Sequence, residues 1–227
     1  MILLADIGNT CVKLALSDGR TAGPVARRDY DEAEWEEWLG RADEVHLSCV
    51  GPHPDALFRL AADKKKKVWR VRELAARDGH VPATLFPDGL GEDRCAAIRG
   101  ARRRAPGRDV LVVDCGTCLT TDLVTADGRH LGGIISPGLR LRLESMHEHT
   151  AALPQVSCEG EAPLWAFTTE EAMRGGAMNG LRFEIEGYIR EARKMCRDVK
   201  VFYTGGLPLA LGDEAEVCPN LVLEGLL

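Results

Sequence analysis

The run Val110-Leu111-Val112-Val113-Asp114-Cys115-Gly116-Thr117-Cys118-Leu119-Thr120-Thr121-Asp122-Leu123 decides how the chain folds. An apolar, β-branched segment enters a carboxylate, passes a Gly-Thr turn and leaves as a second alternating segment, the pattern of a β-hairpin that holds a polar turn. The N-terminus repeats the design. Ile2-Leu3-Leu4-Ala5 leads into Asp6-Ile7-Gly8-Asn9-Thr10, and Val12-Lys13-Leu14-Ala15-Leu16 leads out. Two copies of strand, Asp-x-Gly-(x)-Thr turn and strand predict two related half-domains facing one site.

Of the 227 residues, 45% are hydrophobic and 28% charged, ordinary values for a soluble globular chain able to build a sizeable core. A net charge of −6 and a pI near 5.6 offer no broad attraction to nucleic acid or to an anionic membrane, so neither is expected as a partner. The basic clusters at Lys64 to Lys67 and Arg102 to Arg104 read as solvated helix ends. No apolar run approaches the ~18 residues of a membrane span, and Asp6 interrupts any signal-peptide core, so a cytoplasmic location is expected. Eight cysteines (Cys11, Cys49, Cys95, Cys115, Cys118, Cys158, Cys196, Cys218) lie scattered through apolar segments and read as buried free thiols. Cys115 and Cys118 have metal or redox spacing but no second pair and no nearby His pair, which argues against such a role.

Working outward from the two turns, the chain alternates strands and helices, which predicts an α/β architecture. A helix is expected over residues 31 to 42, capped by Asp31, with Trp35, Trp38 and Leu39 on its core face. Strands follow at Glu44 to Val50 and Lys67 to Val71, with a helix from Ala56 to Lys65 between them. After a helical turn at Glu73 to Arg77, a Pro- and Gly-rich stretch from Gly79 to Gly91 ends in Gly91-Glu92-Asp93-Arg94, directly before the helical run from Cys95 to Ala101. On these residues alone Asp93 reads first as the cap of that helix and second as a group that holds a polar substrate. Beyond the central hairpin, Gly132-Gly133 and Pro137-Gly138 allow close backbone approach before a helix from Leu139 to about His149. His147 and His149 fall on different faces of that helix, which argues against a shared metal. A loop from 150 to 167 leads to a long helix that carries Gly175, Gly176 and Gly180. Three helical glycines, each costing about 1 kcal/mol relative to alanine, predict close approach by another backbone, a helix or a ligand. The last strand, Lys200 to Tyr203, runs into Thr204-Gly205-Gly206.

Two Asp-x-Gly turns and a Thr-Gly-Gly turn, each at a strand end, suit a nucleoside triphosphate. Main-chain N–H groups and Thr hydroxyls donate to phosphate oxygens, and a carboxylate holds the accompanying Mg²⁺. Phosphoryl transfer to a hydroxyl also calls for a general base. Asp93 is the best remaining carboxylate, because Asp6 and Asp114 lie in turns that should face phosphate or cation. Lys13 reads equally as a phosphate contact or as an exposed strand residue.

Asp6-Ile7-Gly8-Asn9-Thr10-x-x-Lys13, Gly91-x-Asp93-Arg94, Val113-Asp114-x-Gly116-Thr117, Gly132-Gly133-x-Ile135-x-Pro137-Gly138, Thr150-Ala151-x-Leu153-Pro154, Thr204-Gly205-Gly206 and Leu221-Val222-Leu223-x-Gly225-Leu226 together resemble type III pantothenate kinase, of the acetate kinase, sugar kinase, Hsp70 and actin superfamily. The resemblance implies two ribonuclease H-like half-domains, residues 1–104 and 105–227, each a mixed sheet flanked by helices, with a cleft between them. It implies ATP-dependent phosphorylation of pantothenate, the first step toward coenzyme A, by a homodimer. Its residue roles carry over as follows. Asp6, Ile7, Gly8, Asn9, Thr10, Cys11, Val12 and Lys13 form the first phosphate loop, with Asp6 near Mg²⁺, and Thr117 contacts ATP. Asp93 accepts the proton, and Gly91, Glu92, Asp93 and Arg94 belong to the pantothenate site. Asp114 binds a monovalent cation, K⁺ or NH4⁺, and Thr169 touches pantothenate across the dimer interface. The chain departs from the family upstream of Gly91, where Thr84, Phe86 and Pro87 stand in place of the usual Tyr, then Asn or Thr before Pro. The alternatives are a non-catalytic nucleotide-binding regulatory protein of the same fold, favoured only by that departure, and a kinase for another small hydroxy acid.

Overall fold

A computed structural model describes residues 1–29, 34–78, 86–209 and 211–227. The first sheet contains β1 (Ile2–Ile7), β2 (Val12–Ser17), β3 (Ala26–Arg28), β4 (Glu44–Cys49) and β5 (Lys67–Arg70) in the order β3-β2-β1-β4-β5. β1 lies at its centre, antiparallel to β2 and parallel to β4, and Leu3 to Ile7 are all buried. A strand with neighbours on both sides and cover on both faces reads as a continuous apolar run, which is why Ile2-Leu3-Leu4-Ala5 lacks alternation. Helices α1 (Trp35–Gly40) and α2 (Asp55–Asp63) cover this sheet through Trp35, Leu39, Ala56, Leu57 and Ala61. The cap expected at Asp31 lies outside the described residues.

The second sheet contains β6 (Val110–Cys115), β7 (Cys118–Val124), β8 (His130–Pro137), β9 (Lys200–Gly205) and β10 (Glu216–Val217) in the order β10-β9-β6-β7-β8. Counted from its own first strand this is again 3-2-1-4-5, so the repeat seen in the two Asp-x-Gly hairpins extends to the whole sheet. Helices α5 (Leu139–Glu148) and α6 (Thr169–Met195) pack on it. Leu181, Ile185, Ile189 and Ala192 of α6 join Leu111, Val113, Val201 and Tyr203 in one core. The chain is therefore α/β, with two mixed five-stranded sheets flanked by helices.

The contacts divide the chain into two compact units, Met1–Val110 with Val124–Leu131 and Asn220–Leu227, and Leu111–Leu123 with Gly132–Pro219. In the first unit the last segment, with α7 (Leu221–Glu224), docks on α4 (Glu92–Arg104), which follows α3 (Val71–Asp78). Buried Arg99 donates to the Gly225 and Leu227 carbonyls, and Arg104 pairs with Glu224 at 2.5 Å. Buried His46, its pKa pushed down chiefly by burial, meets the Leu226 carbonyl through Nδ1.

The reading of Arg102 to Arg104 as solvated is corrected at Arg102 alone. Arg103 and Arg104 are exposed, Arg104 in the surface pair above, whereas Arg102 is half-buried and donates to the Thr125 carbonyl at 2.7 Å and to that of Ala126 at 3.2 Å. In the lysine cluster, Lys66 donates to the Ala42 carbonyl and Lys67 lies 3.4 Å from the Trp69 ring centroid. The helical glycines are corrected in part. A Cβ on Gly175 would run into the Pro163 carbonyl, so that glycine does meet another backbone, whereas nothing lies within 4 Å of one on Gly176, and Gly180 meets only the Arg142 side chain at 3.5 Å. All eight cysteines are free, four buried and four half-buried.

Candidate active site

In the first unit the strand register places Lys13 of β2 and Ser48 of β4 directly beside Asp6. Asp6 is buried. One carboxylate oxygen accepts from the Ser48 hydroxyl at 3.1 Å, and the other meets the Lys13 ammonium at 3.3 Å. The turn then closes through Gly8 N–H to the Cys11 carbonyl at 3.1 Å, leaving Asn9 and Thr10 exposed and Cys11 half-buried. Ile7 and Val12 belong to the core cluster, so of the eight expected phosphate-loop residues these two can offer a ligand only main chain. Two partners lie beyond the sequence reading, Ser48 and Gly51. The N–H groups of Val50 and Gly51 both donate to the Ile7 carbonyl at 3.0 Å, and a Cβ on Gly51 would overlap the Gly8 carbonyl. Gly51, just beyond the end of β4, is the seat of the turn.

The same unit carries Gly91, Glu92, Asp93 and Arg94 at the start of α4. The N-cap is Gly91, not Asp93. Asp93 sits half-buried in the first turn, its Oδ1 accepting from Arg94 N–H at 2.8 Å and folded over Gly91, where a Cβ would come within 2.6 Å of it. Glu92 turns the other way. Its carboxylate accepts from Arg70 Nε at 2.8 Å, from Arg70 Nη2 at 3.3 Å and from Cys49 N–H at 3.0 Å. The bond to Glu92 is the main cause pushing the Arg70 pKa up. Just upstream, Arg72 donates to the carbonyls of Phe86, Pro87 and Leu90, each at 3.0 Å. Phe86 is buried with its ring centroid 5.7 Å from the Arg72 guanidinium. Thr84 lies outside the described residues.

In the second unit three motifs far apart in sequence meet at one turn. Gly116 N–H closes the hairpin on the Cys118 carbonyl at 3.0 Å, Gly138 N–H donates to the Thr117 carbonyl at 3.0 Å, and Gly206 N–H donates to the Cys115 carbonyl at 3.2 Å. Gly205 adopts φ +111°, and a Cβ there would lie 2.7 Å from the Cys115 nitrogen, so this position needs glycine on both counts. Asp114, the last residue but one of β6, is half-buried beside this turn, and Thr117 is half-buried within it. Burial pushes the Cys115 thiol up to about 11, so it stays protonated at neutral pH and is poorly suited to ligate metal. Tyr203, also pushed up by burial, hydrogen-bonds Cys115 and donates to the Leu207 carbonyl at 2.6 Å.

Elsewhere in that unit Thr169 is exposed at the start of α6. With Ala152, Pro154, Glu161, Thr168 and Arg174 it lines an open depression of about 760 Å³, which brings Thr169 together with the Thr150–Pro154 motif. Arg174, which the sequence reading passes over, is buried there and donates to the Ser157 and Glu161 carbonyls at 3.0 and 3.1 Å. Among the described residues no group of three or more His, Cys, Asp or Glu is placed to hold a metal ion, and no helix is long and apolar enough to cross a membrane.

A family model described as type III pantothenate kinase matches residues 2–191. The chain belongs to the type III pantothenate kinase family. It is 39% identical to the type III pantothenate kinase of Christiangramia forsetii over 238 residues, covering 100% of this chain and 96% of the relative. It is 35% identical to that of Phocaeicola vulgatus over 209 residues, covering 91% and 86%. Among solved structures, the activator of the 2-hydroxyisocaproyl-CoA dehydratase from Clostridium difficile with bound ADPNP has a TM-score of 0.54 at 14% identity, covering 99% of this chain and 91% of that one. A glucokinase from an Antarctic psychrotroph has 0.52 at 11%, covering 99% and 97%. At such identities these two show the fold alone.

Proposed function

We propose that this family member transfers the γ-phosphoryl group of ATP to the primary hydroxyl of pantothenate, with Asp93 as general base. The observation that carries the reading is the Asp93 carboxylate in the first turn of α4, turned over a glycine and followed by Arg94. Asp93 takes the hydroxyl proton as the oxygen attacks phosphorus, and the bond from phosphorus to the bridging oxygen of ADP breaks. Proton transfer of this kind is worth roughly 10²- to 10⁴-fold. Arg94 offers a fixed cation to the acceptor's carboxylate.

Asp6, Gly8 to Cys11 and Lys13 form the phosphate loop in this proposal, with Ile7 and Val12 contributing main chain, and Thr117 contacts the nucleotide. A buried aspartate beside an exposed glycine turn fits Mg²⁺, which usually takes one or two carboxylates and completes its shell from phosphate and water. Bound there, Mg²⁺ neutralises phosphate charge. Asp114, half-buried next to a turn rich in main-chain oxygens, fits a monovalent cation, K⁺ or NH4⁺. The homodimer belongs to the same proposal, with Thr169 reaching the partner subunit's pantothenate. Trp165 is 85% and Phe167 100% exposed, which suits burial against a second copy.

Product formation from ATP and pantothenate with Mg²⁺ and K⁺ tests the reading. Asp93→Asn should lose about 10²-fold or more in kcat while retaining ATP binding. An unchanged rate would remove Asp93 from the role of base. Turnover only with another hydroxy acid would move the mechanism to that acceptor.

A further inference from the structure

We infer that the Arg70–Glu92 ion pair positions Asp93, making both residues positioning groups for the transfer rather than contacts of the acceptor. This rests on the assignment of Asp93 as the base. A helix start exposes N–H groups without intrahelical partners, and the residue before it usually supplies a side-chain cap. Here that residue is Gly91, which makes no such bond. What fixes the start of α4 is the next residue. Glu92 Oε1 accepts from Arg70 Nε at 2.8 Å, and Oε2 accepts from Arg70 Nη2 at 3.3 Å and from Cys49 N–H at 3.0 Å.

Cys49 ends β4 and Arg70 ends β5, which are parallel neighbours. One carboxylate therefore pins the first residue of α4 to two adjacent strands of the sheet that carries Asp6, and the residue after it is Asp93. The fork-to-fork geometry resists rotation as well as translation, and Glu92, 16% exposed, lies largely out of water. With both oxygens directed at the sheet, the Glu92 carboxylate turns away from the acceptor role that the family resemblance implies for the whole Gly91–Arg94 segment. The chain entering Gly91 is held independently by Arg72 on three carbonyls, so the slack left for Glu92 to remove lies at the helix start itself. A misplacement of about 1 Å in a base costs on the order of 10²-fold in rate, so a pair that makes no contact with substrate can control kcat.

The test compares Arg70→Ala, Glu92→Ala, Glu92→Gln and the Arg70→Ala/Glu92→Ala double variant with wild type. Arg104→Ala, which breaks a different ion pair at the far end of α4, is the control. The single alanine variants should lose roughly 10- to 100-fold in kcat with the KM for ATP within about 2-fold of wild type. The double variant should be no worse than the poorer single one. Glu92→Gln, which keeps an acceptor for Cys49 N–H, should recover part of the loss, and Arg104→Ala should match wild type. Unchanged kcat, additive losses, or an equal loss in Arg104→Ala overturns the inference. Amide exchange over residues 91–95 gives a readout that needs no turnover. It should accelerate in Arg70→Ala, and unchanged protection overturns the positioning role even if wild type fails to phosphorylate pantothenate, an outcome that by itself would refute only the proposed function.

Discussion

The Asp6 and Asp114 turns stand at the same place in two sheets of the same strand order. In both, the residue after the aspartate offers its carbonyl to a glycine that follows the fourth strand: Ile7 to Gly51 at 3.0 Å, and Cys115 to Gly206 at 3.2 Å. In both, the motif glycine is less crowded than the distant one. A Cβ on Gly8 would lie 3.2 Å from the Cys11 carbonyl, and one on Gly116 would find nothing nearer than 3.9 Å. The more crowded glycines are the distant ones. The turns differ in what braces them further. Asp6 is bracketed by Lys13 and Ser48, and Val50 N–H joins Gly51 on the Ile7 carbonyl, while in the Asp114 turn the further main-chain brace falls on a different residue, Gly138 N–H on the Thr117 carbonyl. A signature that repeats in sequence is thus anchored by a shared main-chain seat and tuned by unshared neighbours.

The largest effects should come from the seats. Gly205→Ala adds a disfavoured φ of +111° to a collision with Cys115, and should destabilise by about 3 kcal/mol or more. Gly51→Ala, a collision without a positive φ, should cost about 2 kcal/mol. Gly116→Ala should cost less than about 1 kcal/mol. Urea unfolding of the three variants checks the order. If Gly116→Ala proves the most damaging, the comparison breaks, because the motif glycine would then carry the packing.

The side-chain bracket should matter less. Lys13→Met leaves Asp6 buried with Ser48 as its remaining bracket, a loss of about 1 kcal/mol. Asp6→Asn introduced alongside it should recover part of the loss, since a neutral amide needs no cation. A double-mutant cycle with coupling near zero would show instead that the 3.3 Å contact contributes nothing measurable.

Both hairpins are legible in the sequence because their signal is local: alternation, β-branching and turn residues within about a dozen positions. Ser48 and Gly51 are not, because they reach the Asp6 turn through parallel pairing with a partner 42 residues away, and register between strands joined by helices leaves no local trace. Arg99 and Arg102 look like any charged helix positions until the carbonyls of Gly225 and Thr125 are seen to end beside them. β8 escapes notice for another reason. As an edge strand exposed along much of its length, it carries no apolar alternation, and its glycines read as loop. Asp93 is legible as a residue of interest, but its freedom from the capping role depends on Gly91 taking that position.

The smallest expected effect separates the two turns by chemistry. Where the first has Ile7, the second has Cys115, whose thiol burial raises from 9.0 to about 11. As pH rises past about 9 the unfolded chain releases this proton first, so folding must take it up again. Stability therefore falls as pH rises between about 9 and 11 and levels off above. At about pH 10 the loss amounts to roughly 1 kcal/mol. Tyr203, raised in the same direction, adds a loss of the same sign at higher pH. The stability difference between wild type and Cys115→Val, measured by urea unfolding at increasing pH, should shift against wild type above about pH 9. A difference that stays constant across that range would mean that the thiol ionises as easily in the folded turn as in the unfolded chain. The Cys115 seat would then be open to water, unlike the closed seat at Ile7.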